Sequence, residues 1–108
     1  MSSLFFDHLI NINQLQSRID QLEITELELH QLHRQIDELI QHRVVEVILD
    51  RLHQDHHHTF ISNLQQNPAD TEILVWLNQY IQDVESQIQK AIQELEQELI
   101  QEIFVSRE

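Results

Sequence analysis

The sequence predicts an all-α fold, and three observations carry that prediction. The 108 residues contain no glycine and one proline, apolar residues recur at steps of three and four, and helix-start chemistry stands at Thr25 and Asp70. Strand-rich folds turn through residues with positive φ, which glycine adopts most readily, so its absence removes the usual hairpin turns. Steps of three and four keep apolar side chains on one face of a 3.6-residue helix. The expected architecture is an elongated antiparallel helical bundle or hairpin of about four helices, within one domain over residues 1–108.

The first element covers about 3–22. Phe5, Leu9, Ile12, Leu15, Ile19 and Leu22 form its stripe, while Asn11 and Asn13 are modest helix formers and good caps. Either one bent helix covers the segment, or a short turn precedes a helix starting near Asn13. The second element covers about 25–52. Thr25 followed by Glu28 is a capping box, with Ile24 and Leu29 placed to staple over it. Leu29, Leu32, Ile36, Leu39, Ile40, Val44, Val47, Ile48 and Leu52 hold its face. Between Val44 and Leu49 that face widens, the mark of a helix packed on more than one side and of the core's centre.

The third element, about 55–66, takes Asp55 as its cap and Phe60, Ile61 and Leu64 as its buried face. It stops before Asn67-Pro68, because proline disfavours helix at the residue before it. Asp70 then caps a last helix over about 71–104, a stretch with no breaker. Its stripe reads Ile73, Leu77, Ile81, Val84, Ile88, Ile92, Leu95, Leu99, Ile103, an eleven-residue repeat close to the relaxed helix. At about 1.5 Å per residue such a helix is roughly 50 Å long, against a diameter of about 35 Å for a compact domain of this size. Its distal part is therefore expected to run past the bundle, leaving Leu95, Leu99, Ile100, Ile103, Phe104 and Val105 partly uncovered. Uncovered apolar surface of that kind marks a contact with another protein.

Charge narrows the partners. Six Lys and Arg against nineteen Asp and Glu give a net charge of −13. The basic residues Arg18, Arg34, Arg43, Arg51, Lys90 and Arg107 are scattered, which argues against a nucleic-acid surface and against an anionic membrane face. A basic protein partner fits better. Along the last helix, Glu94, Glu96, Glu98 and Glu102 repel one another near its negative end, and a basic groove on a partner would relieve them. Apolar runs are all shorter than the roughly 20 residues of a membrane span. The N-terminal Met1-Ser2-Ser3-Leu4-Phe5-Phe6-Asp7-His8 lacks the basic start and cleavage site of a signal peptide, so a cytoplasmic location is expected.

Histidine is the compositional oddity, with eight in the chain and four in His53-Gln54-Asp55-His56-His57-His58. His53 and His57 share a face if one helix runs through them, with His56 adjacent, and imidazole suits zinc, nickel or copper. The plainer reading is a polar helix start with His56 or His57 half buried above Phe60 and Ile61. On the second helix, Glu26–His30, His33–Asp37 and His42–Glu46 are four-residue pairs that support the helix weakly. A Glu-x-x-His pair of the di-metal bundles is missing. Histidines also titrate near pH 6.5, so mild acidification would carry the net charge from −13 towards −5 and favour self-association.

Without cysteine or glycine-rich loops, thiol chemistry and phosphate cradles are excluded, and the serines stand in no nucleophile motif. The segment from His42 to Leu77, with His-Arg-Val-Val-Glu-Val-Ile-Leu-Asp-Arg-Leu, His-His-His-Thr-Phe and Asn-Pro-Ala-Asp, resembles small helical bacterial proteins of uncharacterised function. That resemblance implies a four-element all-α fold and brings no activity, cofactor or binding residue. The expected function is a non-enzymatic interaction or assembly module with no cofactor, a homo-oligomer or the binder of a protein partner, with Ile92, Leu95, Leu99, Ile103 and Phe104 as its contact residues. The alternative is a metal-binding or pH-responsive protein using His53, His56 and His57.

Overall fold

A computed structural model describes residues 4–105, apart from the side chain of Val105. The expectations placed on Met1–Ser3, on the Val105 side chain and on Arg107 lie outside the described residues. All regular structure among the described residues is helical: α1 (Asn13–Ile19), α2 (Glu26–Arg51), α3 (His57–Gln66), α4 (Glu72–Leu77) and α5 (Val84–Ile100). A 3-10 turn at Asp7–Leu9 precedes α1, another at Gln54–His56 leads into α3, and a π turn at Gln101–Val105 continues α5. The body measures 46 × 24 × 20 Å, elongated as expected.

The frame is the pairing of α2 with α5. Arg43 meets Glu98 across it, and Val47, Ile48 and Arg51 share a contact region with Val84, Gln87 and Ile88, so the two helices run antiparallel. Ile36, Ile40, Val44 and Ile48 are buried on α2, and Val84, Ile88, Ile92, Leu95 and Leu99 on α5. Each fully buried aliphatic side chain of this kind contributes about 1.5–3 kcal/mol, so the seam dominates the stability.

Local chemistry sets α2's start at the expected residue. The Thr25 hydroxyl accepts the Glu28 N–H at 3.1 Å, and the Glu28 carboxylate accepts the Thr25 N–H at 3.3 Å. The N-terminal segment takes the second of its two expected forms, a turn followed by a helix from Asn13. That turn buries Phe5 and Phe6 completely. Phe5 packs edge-on against Phe6 and Phe60, and its N–H donates to the Pro68 carbonyl at 2.7 Å.

Caps further along differ from expectation. The Asp55 side chain does not cap α3. Its N–H donates instead to His53 Nδ1 at 3.2 Å, and a 3-10 turn intervenes before His57. Asp70 stands one residue earlier than a true cap but does a cap's work, its carboxylate accepting the Glu72 N–H at 3.0 Å.

The unbroken helix expected over 71–104 is the main correction. α4 ends at Leu77, turns occupy 78–83, and α5 begins at Val84. Asp83 holds the left-handed conformation, φ 53° and ψ 44°, the one positive φ among the described residues. The apolar stripe is nonetheless buried from Ile73 to Leu99, on two helices instead of one. Periodicity reports which side chains seek the core and says nothing of continuity. Aspartate tolerates the left-handed well better than most residues, so it can stand at the end of this turn, immediately before α5.

Asp83→Gly should raise stability to chemical denaturation by a few tenths to about 1 kcal/mol, since glycine occupies this well without a Cβ clash. Asp83→Val should lower it, a β-branched residue being the worst fit there. The opposite order would show that the turn is not the constraint.

Candidate functional site

Three of the five expected contact residues belong to the core. Ile92, Leu95 and Leu99 are 1%, 4% and 7% exposed, covered along the α2 seam and by α1, so the uncovered distal helix does not exist in this form. The reason is length: once broken at 78–83, α5 has 17 residues and fits alongside α2. Ile103 and Phe104 remain half-buried, with the Arg18 guanidinium 5.8 Å from the centroid of the Phe104 ring.

Two glutamates of α5 also have partners within the chain. Arg43 grips Glu98 with two parallel hydrogen bonds, Nη1 to Oε2 at 2.7 Å and Nη2 to Oε1 at 3.0 Å. Their hydrogen bonding holds the Glu98 carboxyl below its ordinary pKa, against the opposing effect of lost solvent, and raises that of Arg43. Glu96 is 5% exposed and its carboxyl accepts the N–H of Leu15 at 3.1 Å. α1 has no side-chain bond from its own N-cap, so Glu96 satisfies from 81 residues away a donor that the helix start leaves open. A carboxylate there also suits the positive end of the helix. Beside it, Gln97 donates to Gln14 at 2.9 Å.

The histidine run is dispersed. His57 bonds through Nε2 to the Leu52 carbonyl at 2.7 Å, which ties the start of α3 to the end of α2. His53 accepts from the Asp55 N–H. His56 stacks on Tyr80, ring centroids 4.1 Å apart at an interplanar angle of 35°. Three histidines with three separate duties do not converge on an ion, and no group of three or more His, Cys, Asp or Glu among the described residues is placed to hold a metal. On α2, His42 lies 3.5 Å from Glu46, while His30, His33 and Asp37 line a groove in which His33 Nε2 is buried without a hydrogen-bond partner.

The surface feature that stands out was not anticipated. Trp76 and Tyr80 are the chain's single tryptophan and single tyrosine. Their ring centroids are 5.1 Å apart, and His56 closes the group at 6.1 Å from Trp76. Tyr80 is 45% exposed, neighbouring Val75 is 55% exposed, and Trp76 is half-buried. Beside the rings runs a groove of about 350 Å³ lined by Trp76, Val75, Gln79, Asp70, Glu72 and residues at the end of α3. The sequence did carry a signal for it: Glu72 and Trp76 are spaced i, i+4 on one face of α4, and Tyr80 follows four residues later in the turn after α4.

Comparison with protein-family models, with curated proteins and with solved structures gives no match. Among the described residues, no helix is long and apolar enough to cross a membrane.

Two outcomes check this arrangement. Leu95→Ala should cost about 2–5 kcal/mol in denaturant unfolding, as a core truncation does, where a free contact residue would cost almost nothing. The coupling between Arg43 and Glu98, from a double-mutant cycle with Arg43→Gln and Glu98→Gln, should be full above the carboxylate's ordinary pKa. Because the folded value is the lower one, the coupling should fade as pH falls through it. A coupling that grows on acidification would refute the assignment.

Proposed function

We propose that the protein is a non-enzymatic, acidic helical module that binds another protein through the aromatic patch of Val75, Trp76 and Tyr80 with His56. The observation that carries this reading is the mutual contact of Trp76, Tyr80 and His56 at the surface, where Tyr80 is exposed and exposed Val75 lines the same groove as Trp76. Water is a poor neighbour for such side chains, and tryptophan and tyrosine are the residues that most often dominate protein interfaces. Leu27 and Leu39 on α2 are also exposed, 68% and 46%, twelve positions apart on that helix. Scattered single apolar residues are ordinary on a surface.

A net charge of −13 opposes association between two copies at low salt, so a positively charged partner is favoured over a homo-oligomer. A cytoplasmic location is part of the proposal. Relative to the contact first expected on the last helix, the docking surface moves to α4 and the turn that follows it.

The test is affinity capture with chemical cross-linking, comparing wild type with the double variant Val75→Gln, Tyr80→Gln. Both positions are exposed, so circular dichroism and stability should change little, by about 0.5 kcal/mol or less per site. A partner captured by wild type should be lost from the variant. Retention of the same partner, or capture of none, counts against the reading.

A further inference from the structure

The groove beside Trp76 has a chemistry that narrows the class of partner. Its carboxylates are Asp70 and Glu72, its other polar groups are amides of Asn63, Gln66, Asn67 and Gln79, and its apolar wall is Ile73, Val75 and Trp76. Among the described residues, neither lysine nor arginine lines it. Three of the chain's six basic side chains are engaged elsewhere: Arg43 with Glu98, Arg34 within 3.7 Å of Glu38, and Arg18 against Phe104.

Resting on the interaction reading above, we infer that this groove takes an arginine side chain of the partner, its guanidinium lying against Trp76 and bonded to Asp70 and Glu72. The guanidinium is planar, permanently charged and weakly hydrated, which lets it stack on an aromatic ring while its N–H groups reach carboxylates at its edge. Both halves of that requirement stand side by side here. Glu72 is one helical turn before Trp76, so carboxylate and indole share a face. Asp70 is held in place, because one of its oxygens already accepts the Glu72 N–H and its backbone carbonyl accepts the N–H of Ile73. Tyr80 and His56 pack against the indole and do not line the groove, which helps hold that wall in position. Amides around the rim accept and donate in equal measure, which suits the backbone of an extended peptide carrying the arginine. A lysine ammonium would find the charge but lose the stacking. An acidic segment would be repelled by the two carboxylates, and a purely apolar one would take water from them without replacing it.

Trp76 is the only tryptophan, so its fluorescence reports on the groove directly. A blocked peptide of alternating alanine and arginine should bind the full chain, saturably, with a shift in Trp76 emission, and its lysine counterpart should bind more weakly. Glu72→Gln and Asp70→Asn should each lower the peptide's affinity about two- to five-fold, the size of one partly exposed ion pair. Asparagine at position 70 keeps the oxygen that holds the turn, so that variant folds. Trp76→Phe, read by calorimetry, keeps an apolar ring in the core contact and should weaken the arginine peptide while narrowing its advantage over lysine. Absence of peptide binding, binding without a change in Trp76 emission, or equal affinity for wild type and the Asp70→Asn, Glu72→Gln double variant overturns the inference. If the double variant keeps the protein partner that Val75→Gln, Tyr80→Gln loses, the interaction reading survives and the arginine assignment alone fails.

Discussion

The antiparallel contact of α2 with α5 is the constraint on which the rest of the molecule depends. Neither helix is stable alone in water, because helical hydrogen bonds barely exceed those made to solvent and nucleation is costly. Each becomes stable by burying one apolar face in the other: Ile40, Val44 and Ile48 from one side, Ile88, Ile92 and Leu95 from the other. α5 then offers a second face, and on it α1 runs alongside, with Asn13 and Gln14 near Gln93 to Gln97 and Arg18 near Phe104. The N-terminal turn and α4 reach the same core through Phe5, Phe6, Leu74 and Leu77. With no disulfide in the chain, burial in this common core is what holds the short elements.

Polar groups at the edges of that core select one alignment. Hydrophobic burial is non-directional, and a helix pair can slide by a turn with little change in area. The bidentate contact of Arg43 with Glu98 specifies which turn of α2 faces which turn of α5. Glu96 does the same for α1, since its carboxyl reaches the Leu15 N–H in one alignment only. These glutamates look, on a helical wheel, like an unrelieved acidic edge awaiting a basic partner. Two of them find relief inside the chain, from an arginine far along the sequence and from the backbone of a short helix.

The break at 78–83 links fold to proposed function. A helix continued through Asp83 would carry α4 away from α3 along a straight line. Turning there, the chain brings Ile73, Leu74 and Leu77 into the common core, and the opposite side of α4 faces outward with Val75 and Glu72. His57 anchors the start of α3 to the end of α2, which sets the adjacent His56 against Tyr80. The aromatic patch is thus a consequence of two local devices, one left-handed aspartate and one histidine bond to a carbonyl. Neither involves a residue of the patch itself, apart from the proximity of His56.

Helical class, the start of α2 and much of the buried stripe were legible in the residues, because each is decided locally, although Leu39 on α2's stripe is 46% exposed and Leu95 and Leu99, expected to be partly uncovered, are core. A capping box needs only Thr25 and Glu28, proline acts on its neighbour, and a period near 3.6 marks the buried face whichever element lies across it. Where the last helix breaks, which glutamates are satisfied and which surface stays open were not legible. An aspartate is compatible with helix and with the left-handed well, and the choice at Asp83 depends on whether burying Leu74 and Leu77 against distant elements outweighs the lost helical bonds. Glu96 and Leu15 are separated by 81 positions, Arg43 and Glu98 by 55, and no local pattern announces such pairs. Short-range chemistry thus wrote the elements and their buried faces, while the competition among long-range contacts settled their junctions and the face left to a partner.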